Sequence, residues 1–449
     1  MKLSAFEIAD ALHAVRPCVN TEICEITTDS RTVGEHTLFA ALAGERFDGH
    51  DFIPSLDDQF QQIVFLTDRP IQTKNAVIVC EDVLQALADI AALHLQQLSL
   101  LKVAVTGSVG KTTTKEMIAS VLSAHFAVQK SLANRNNELG MPLTAFSVTE
   151  QHTAAVFEMG MRGRGQIDFL ARRVRPDIGV ITNIGTSHME LLGSRENICK
   201  AKMELADCLS EKGVLLLNGD EPLLRSAAKD CSCQVRFFGL DAACDYRAEN
   251  IENTRFGTRF TLWYREKSIS VFLPVTGEHN VYNALAAFAV AYEAGMDPAQ
   301  IVSKLSSYHD GGLRQSIYEE GGLLFFDDSY NASPESMRAA LSVMRLYPNR
   351  KVAVLSDMLE LGEASETAHR EVGSFARRSG VDELICFGTL SAQTAQGFGA
   401  GAHFFDNRAA ALEYLLKNVH KDDMILFKGS HAMACDKLLH DFKKRWMEH

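Results

Sequence analysis

From about residue 312 to the C-terminus the hydrophobic pattern is regular. Short apolar runs at 323–327, 351–356, 383–387 and 424–427 alternate with stretches whose apolar residues return every three or four positions, at 334–346, 367–379, 408–417 and 432–446. Runs of the first kind have the length of buried strands, and the second spacing is that of amphipathic helices. Strand and helix in alternation predict a parallel sheet with helices on its faces. Before this region the pattern is looser. Strands are predicted at 102–106, 154–158 and 177–183, and helices at 111–126, 197–209 and 280–295, the last closing on Gly295. Residues 1–82 carry shorter pieces, with a strand leading into a turn at 23–31 and strands at 37–43, 63–67 and 76–80. Leu84, Leu87, Ile90, Ala91, Leu95 and Leu98 then recur at helical spacing, a bridge to the second unit. The pattern predicts an α/β protein of three domains, 1–83, 84–311 and 312–449, without repeats or low-complexity tracts.

Composition narrows the function classes. A chain of 449 residues fits about three domains. Hydrophobic residues at 46% and charged residues at 23% exclude a largely disordered chain. A net charge of −12 excludes a protein built to coat nucleic acid, yet leaves room for a local basic pocket that takes a nucleotide. No apolar run reaches the roughly 18 residues of a membrane span. Residues 1–10 already contain Glu7 and Asp10, so no signal peptide is expected and the location is expected to be cytoplasmic. The 10 cysteines form no CxxC pair. Cys231 and Cys233, the one close pair, read as free thiols in a reducing compartment rather than a disulfide frame or a zinc site.

The densest chemistry lies at Gly107-Ser108-Val109-Gly110-Lys111-Thr112-Thr113. A strand precedes it and a helix follows. Glycines let the backbone bend so that successive N–H groups face an anion, and the helix adds its positive N-terminal end. Lys111 offers an ammonium for the β- and γ-phosphates of a nucleotide, and Thr112 a hydroxyl for Mg²⁺. The string is GxxGKT, shorter than the general phosphate-loop pattern, whose first glycine position is here Val105.

Further strings occur in order along almost the whole chain. They are Thr28-Asp29-Ser30-Arg31, Phe47-Asp48-Gly49-His50, Asn136-Asn137-Glu138-Leu139-Gly140-Met141-Pro142, Glu158-Met159-Gly160-Met161 and Thr182-Asn183-Ile184-Gly185-Thr186-Ser187-His188. Ala201-Lys202-Met203-Glu204, Gly277-Glu278-His279-Asn280-Val281, Asp327-Asp328-Ser329-Tyr330-Asn331-Ala332 and Asp357-Met358-Leu359-Glu360-Leu361-Gly362 follow. Together with the phosphate loop they resemble the Mur ligases, the ATP-dependent amide-forming enzymes of peptidoglycan precursor synthesis. The last two strings favour the member that joins D-alanyl-D-alanine to a UDP-MurNAc-tripeptide.

The resemblance implies a small mixed α/β N-terminal domain, a central P-loop ATPase-like domain and a C-terminal Rossmann-like domain. It also implies a monomer that uses ATP and two Mg²⁺ ions and passes through an acyl phosphate. By the same likeness Lys111, His188 and Lys202 would serve catalysis, Lys202 as a carbamate. Gly107 to Thr113, Asn280, Asn283, Arg314 and Asp328 would hold ATP, with the two asparagines sharing a helix face at i and i+3. Thr112, Glu158, His188 and Asn137 would ligate metal. Ser30 and Arg31 would meet the UDP end, and Tyr330 and Asn331 the dipeptide.

Several of these residues have blander readings. Taken alone, His188 is a capping or core histidine, Lys202 a solvated helix lysine, Asn280 a helix N-cap and Arg31 a solvated turn residue. The chain also departs from the family pattern. The family's Gly-Arg is Gly312-Leu313-Arg314, its Lys-Gly-Ser-Arg is Lys428-Gly429-Ser430-His431, and its Met-Glu is Cys435-Asp436. A sister ligase that adds the third-position diamino acid, or a nucleotide-binding switch without catalysis, are the rival readings. The strings at 327–332 and 357–362 speak against the first. The set Lys111, Glu158, His188 and Lys202 speaks against the second.

Overall fold

A computed structural model describes residues 1–44, 47–132, 134–209, 211–309 and 315–448. The first domain is built on four parallel strands in sequence order, β1 (Glu25–Thr27), β2 (Thr37–Ala40), β3 (Val64–Thr67) and β4 (Ala76–Val79). All residues of β2 and β3 are buried. Covering both faces of a sheet gives continuous apolar runs rather than alternation, which made these strands readable. The stretch 23–31 is a strand leading into a turn, as expected, except that Ile23 belongs to a separate two-residue strand paired with Leu3–Ser4. After β1 the chain turns at Ser30–Thr32, because the Asp29 side chain accepts from the Arg31 N–H and caps a single 3-10 turn.

Helix α1 (Val83–Gln96) opens where Asp82 accepts from the N–H groups of Leu84 and Gln85. Its two faces serve different cores. Leu87 and Ile90 pack into the N-terminal domain, and Ala88, Ala91 and Leu95 into the central one. The bridge is therefore a shared buried helix, and the first two domains meet through it.

The central domain contains β5 (Leu101–Thr106), α2 (Lys111–Leu122), β6 (Val128–Lys130), β7 (Ala154–Glu158), β8 (Ile178–Ile181) and α3 (Arg195–Met203). It continues with β9 (Val214–Asn218), β10 (Gln234–Gly239), β11 (Tyr246–Thr254), β12 (Gly257–Tyr264), β13 (Lys267–Leu273) and α4 (Glu278–Glu293). The nine strands lie in the order β13-β12-β11-β10-β9-β8-β5-β7-β6. The chain runs from β5 out to the β6 edge, returns through β7 and then crosses to β8 on the other side of β5. Strand order thus reverses around β5, and in such sheets the crevice at the carboxyl ends of the strands is the binding position. Strands β12 and β13 run antiparallel in a meander with β11. They pair as a ribbon whose side chains alternate between core and solvent, and the sequence pattern there is weak. Phe288 of α4 joins this ribbon to the core: its ring centroid lies 5.2 Å from Tyr264 and 6.2 Å from Tyr246.

The C-terminal domain has β14 (Ser316–Glu320), β15 (Leu323–Asp327), α5 (Pro334–Met344), β16 (Lys351–Ser356), α6 (Ser365–Arg378), β17 (Glu383–Phe387), β18 (Ala402–Phe405), β19 (Met424–Lys428) and α7 (Cys435–Met447). Their sheet order is β14-β15-β19-β16-β17-β18, parallel except for β14. The four interior strands coincide with the predicted runs. The edge strands β14 and β18 are only partly buried and carry no continuous apolar run. Among the described residues no helix is long and apolar enough to cross a membrane.

Substituting Phe288→Ala is expected to destabilise the central domain by about 3–5 kcal/mol, the usual cost of emptying a buried aromatic position. Denaturant unfolding followed by tryptophan fluorescence, with Trp263 in the adjacent ribbon as reporter, checks it.

Candidate active site

The loop after β5 bends through two backbone positions that favour glycine. Gly107 has φ 152° and Gly110 φ 82°. A Cβ at Gly107 would stand 1.9 Å from Thr182 Oγ1. The bend is held from outside, by the end of β8. Val109 donates its N–H to Asn183 Oδ1 at 3.0 Å, and its carbonyl accepts from Thr182 Oγ1 at 2.6 Å and from Asn183 Nδ2 at 3.0 Å. Ser108 donates its N–H to the Asn183 carbonyl at 3.2 Å. Helix α2 then begins at Gly110 with no side-chain cap, so its first N–H groups are left to a ligand. Lys111 Nζ lies over the same loop, donating to the carbonyls of Gly107 at 2.7 Å and Ser108 at 3.3 Å.

Glu158 stands at the end of β7, in register with Val105 of β5, and is buried. Its Oε1 accepts from Thr112 Oγ1 at 3.2 Å and from Asn136 Nδ2 at 2.9 Å. Its Oε2 is buried without a hydrogen-bond partner among the described residues. The charge that balances it is the ammonium of Lys115, fully buried, 3.6 Å from Oε2 and donating to the Ser131 carbonyl at 2.7 Å. Asn137 lines the cavity but spends Oδ1 on the N–H of Gly140, the first residue of the helix Gly140–Phe146, at 2.9 Å. The side chain beside Glu158 is thus that of Asn136.

His188 holds a left-handed backbone, φ 64°, and its carbonyl accepts from Leu191 and Leu192. Its Nδ1 is 2.6 Å from Glu360 Oε2. Burial pushes the imidazole below its ordinary pKa, Glu360 opposes this, and Lys111 and Lys202 add to it. Lys202, near the end of α3, is buried in the same wall. Burial, and after it the charge of Lys111, pulls its ammonium well below the usual lysine range. The solvated-lysine reading of Lys202 does not hold.

The C-terminal domain closes the other side. Asp328, past the end of β15, pairs with Lys428 of β19 at 2.5 Å, and Lys428 also donates to the Asn331 carbonyl at 2.9 Å. The His431 N–H donates to Asn331 Oδ1 at 3.4 Å, and the His431 ring lies 5.4 Å from that of Tyr330. Between the two domains is a cavity of 1110 Å³. It brings together Ser108, Val109, Gly110, Lys111, Thr112, Thr113, Asn137, Glu158, His188, Lys202, Asn283, Asp328, Tyr330 and Asn331. Asn280 and Asn283 share a face of α4 and bond to each other at 3.1 Å. Asn283 meets the main cavity and also accepts from Thr114 Oγ1 at 2.9 Å, whereas Asn280 lines a smaller neighbouring one of 250 Å³. The N-cap of α4 is Gly277, not Asn280. Ser30 and Arg31 lie elsewhere, in the first domain, where Arg31 grips Asp29 through Nε at 2.8 Å and Nη2 at 2.6 Å. Arg314 lies outside the described residues.

This arrangement can bind a polyanion at a helix N-terminus, place two lysines beside it, and offer oxygen and imidazole donors to a cation. Sequence reasoning missed Thr182 and Asn183 as the support of the loop, Asn136 and Lys115 as partners of Glu158, and Lys428 as partner of Asp328. Thr182, Asn183, Asn136 and Lys428 stand in the family strings but carried no role there, and Lys115 was marked only by polarity within the helix after the loop.

Comparison with known proteins agrees with the geometry. Family models match residues 22–94 as "Mur ligase family, catalytic domain", 105–291 as "Mur ligase middle domain" and 314–431 as "Mur ligase, glutamate ligase domain". The UDP-N-acetylmuramoyl-tripeptide--D-alanyl-D-alanine ligase of Bacillus subtilis is 40% identical over 94% of this chain and 93% of its own. Its Escherichia coli counterpart is 34% identical, with 96% of each chain covered. Among solved structures, MurF from Acinetobacter baumannii superposes with a TM-score of 0.91 at 32% identity, covering 99% of both chains. MurF from Thermotoga maritima in complex with ADP gives 0.85 at 28% identity, with 94% and 98% covered. With this sequence likeness running through all three domains and the phosphate loop, buried carboxylate and paired lysines gathered in one cavity, the chain belongs to the Mur ligase family.

Proposed function

We propose that the protein joins D-alanyl-D-alanine to the free carboxylate of UDP-MurNAc-tripeptide at the expense of ATP, through an acyl phosphate, in the cytoplasm. The observation that carries the reading is the juxtaposition of Lys111, Glu158, His188 and Lys202 around one cavity that opens onto Tyr330 and Asn331 of the C-terminal domain. The division of labour follows the three domains: UDP at residues 1–83, with Ser30 and Arg31 toward the diphosphate; ATP at 84–311; the dipeptide at 312–449.

The chemical difficulty is that a carboxylate must attack a phosphate while both are anionic. Positioning and charge neutralisation are what a protein can supply here. The uncapped start of α2 receives phosphate oxygens through its N–H groups, and Lys111, next to them, adds an ammonium to the γ-phosphate. Asn283, with Asn280 bonded behind it, would meet the adenine and Asp328 the ribose. The carboxylate takes the γ-phosphoryl group as the β–γ bond breaks and ADP leaves; the neutral amine of the dipeptide then attacks the activated carbonyl carbon, loses a proton as the amide forms, and inorganic phosphate leaves.

The donor set fits Mg²⁺, which prefers hard oxygen ligands. Thr112 supplies a hydroxyl and Glu158 a carboxylate whose Oε2 is buried and without a hydrogen-bond partner. His188 and a carbamate on Lys202 complete a second set of donors. Bound there, Mg²⁺ supplies positive charge against the phosphate oxygens. Carbamylation requires the neutral amine as nucleophile, and the burial that lowers the Lys202 pKa favours that form.

Phosphate release is expected to require ATP, UDP-MurNAc-tripeptide and D-alanyl-D-alanine together. Release that ignores the dipeptide overturns the assignment. Lys111→Ala is expected to lose roughly 100- to 1,000-fold in turnover, the scale for removing one preorganised electrostatic contact, with an unchanged melting temperature. Activity is also expected to decline when carbon dioxide and bicarbonate are removed and to return when bicarbonate is added. A Lys202→Gln variant should be inactive and indifferent to bicarbonate.

A further inference from the structure

The loop between β8 and the short helix Met189–Leu192 belongs to the central domain, yet side chains of the C-terminal domain grip it. Glu335, in the first turn of α5, accepts at Oε1 from both the N–H and the hydroxyl of Thr186, each at 3.1 Å. Glu360, in the loop after β16, brings Oε2 to 2.6 Å from His188 Nδ1, and its carbonyl accepts from the Glu190 N–H at 3.2 Å. Two glycines make the fit close. A Cβ on Gly185 would meet Glu335 Oε1 at 3.0 Å, and one on Gly362 would meet Glu190 Cα at 3.2 Å.

Both carboxylates stand on rigid ground. Asp357 anchors the Glu360 loop by accepting from the N–H groups of Thr389 at 3.0 Å and Ser391 at 2.7 Å. The N–H of Met358 donates to His369 Nε2 and that of Leu359 to Ser430 Oγ, both at 2.9 Å. Glu335 sits behind the Ser333–Ser336 capping box and Pro334, which fix the start of α5. The loop they hold is continuous with Thr182 and Asn183, the support of the phosphate-binding bend. An imidazole that serves a cation through one nitrogen is oriented by what its other nitrogen meets. Glu360 Oε2 stands 2.6 Å from Nδ1, which is buried and makes no well-directed hydrogen bond among the described residues, so the carboxylate acts on the ring by charge and close contact.

We propose that Glu335 and Glu360 are positioning residues: two carboxylates of the C-terminal domain that set the His188 loop, so that the cation site of the central domain is complete only while the C-terminal domain is docked on it. The proposal rests on the reading of this cavity as a ligase site. It ties the domain assigned to the dipeptide to the domain assigned to ATP, so that the cation site is poor until the third domain is in place.

The test uses full-length protein carrying Glu360→Gln, Glu335→Gln or Glu360→Asp, with melting temperature as the check on folding. Mg²⁺ binding is measured by calorimetry on enzyme holding a non-hydrolysable ATP analogue, and the radius of gyration of the same sample by X-ray scattering. Glu360→Gln is expected to weaken Mg²⁺ binding about 10-fold, the lower end for loss of a carboxylate behind a metal-bound histidine. The molecule should also expand, while affinity for the analogue without Mg²⁺ stays at the wild-type value. Glu360→Asp should recover part of the loss, and Glu335→Gln should show a smaller one. In turnover, Glu360→Gln should raise the Mg²⁺ concentration for half-maximal rate more than it lowers kcat at saturating Mg²⁺. Wild-type Mg²⁺ affinity in both glutamine variants overturns the proposal. Failure of the wild-type enzyme to consume D-alanyl-D-alanine would overturn the proposed function instead, and the calorimetric and scattering results would still decide the role of the two carboxylates.

Discussion

The contacts of Thr182 and Asn183 with Ser108 and Val109 carry the rest of the site. A backbone bend through Gly107 and Gly110 has no side chain of its own to hold it, and glycine leaves it many conformations to lose. Hydrogen bonds from the neighbouring strand end remove that freedom. They also use up the N–H groups of Ser108 and Val109, so the donors that remain are those opening α2, where the helix dipole adds to them. The position of Lys111 over the loop carbonyls, and of Thr112 against Glu158, follows from where that helix starts.

Charge around the bend is balanced by burial and pairing in sequence. Glu158 is buried, and an unpaired buried carboxylate is costly. Lys115 faces it from the next turn of α2 and is itself paired with Glu116 at 3.0 Å, which in turn meets Lys130. Among the described residues no carboxylate forms an ion pair with Lys202, and after burial the charge that acts on it most is another cation, Lys111. The two buried lysines therefore behave differently: Lys115 acts as a structural counter-ion and Lys202 is driven toward its neutral form.

The three domains divide the work unequally. The first two share helix α1, which is buried in the core of each, whereas the third meets the central domain across a cavity lined largely by polar side chains. Polar boundaries between domains are the kind that relative domain motion can open and close. The carboxylates of Glu335 and Glu360 lie on that boundary, and they are the point where the position of the third domain reaches the phosphate-binding loop.

Much of this was legible in the linear chain. The interior strands of the C-terminal sheet coincide with continuous apolar runs, because both faces of a parallel sheet are covered. The glycine bend with Lys111 and Thr112 is readable because its chemistry is packed into adjacent residues. Glu158, His188 and Lys202 were visible through the order of the family's strings, since each alone is an ordinary polar residue. The edge strands β14 and β18 and the antiparallel ribbon were not, because one half of each is wet and the apolar signal is diluted. Tertiary structure alone decided that Asn136 rather than Asn137 meets Glu158, that Asn183 braces Val109 from 74 residues away, and that Glu335 reaches Thr186 across 149. A sequence determines which backbone each segment prefers through forces that act within a few residues. Which distant polar groups satisfy one another is settled only when burial makes leaving them unpaired too costly.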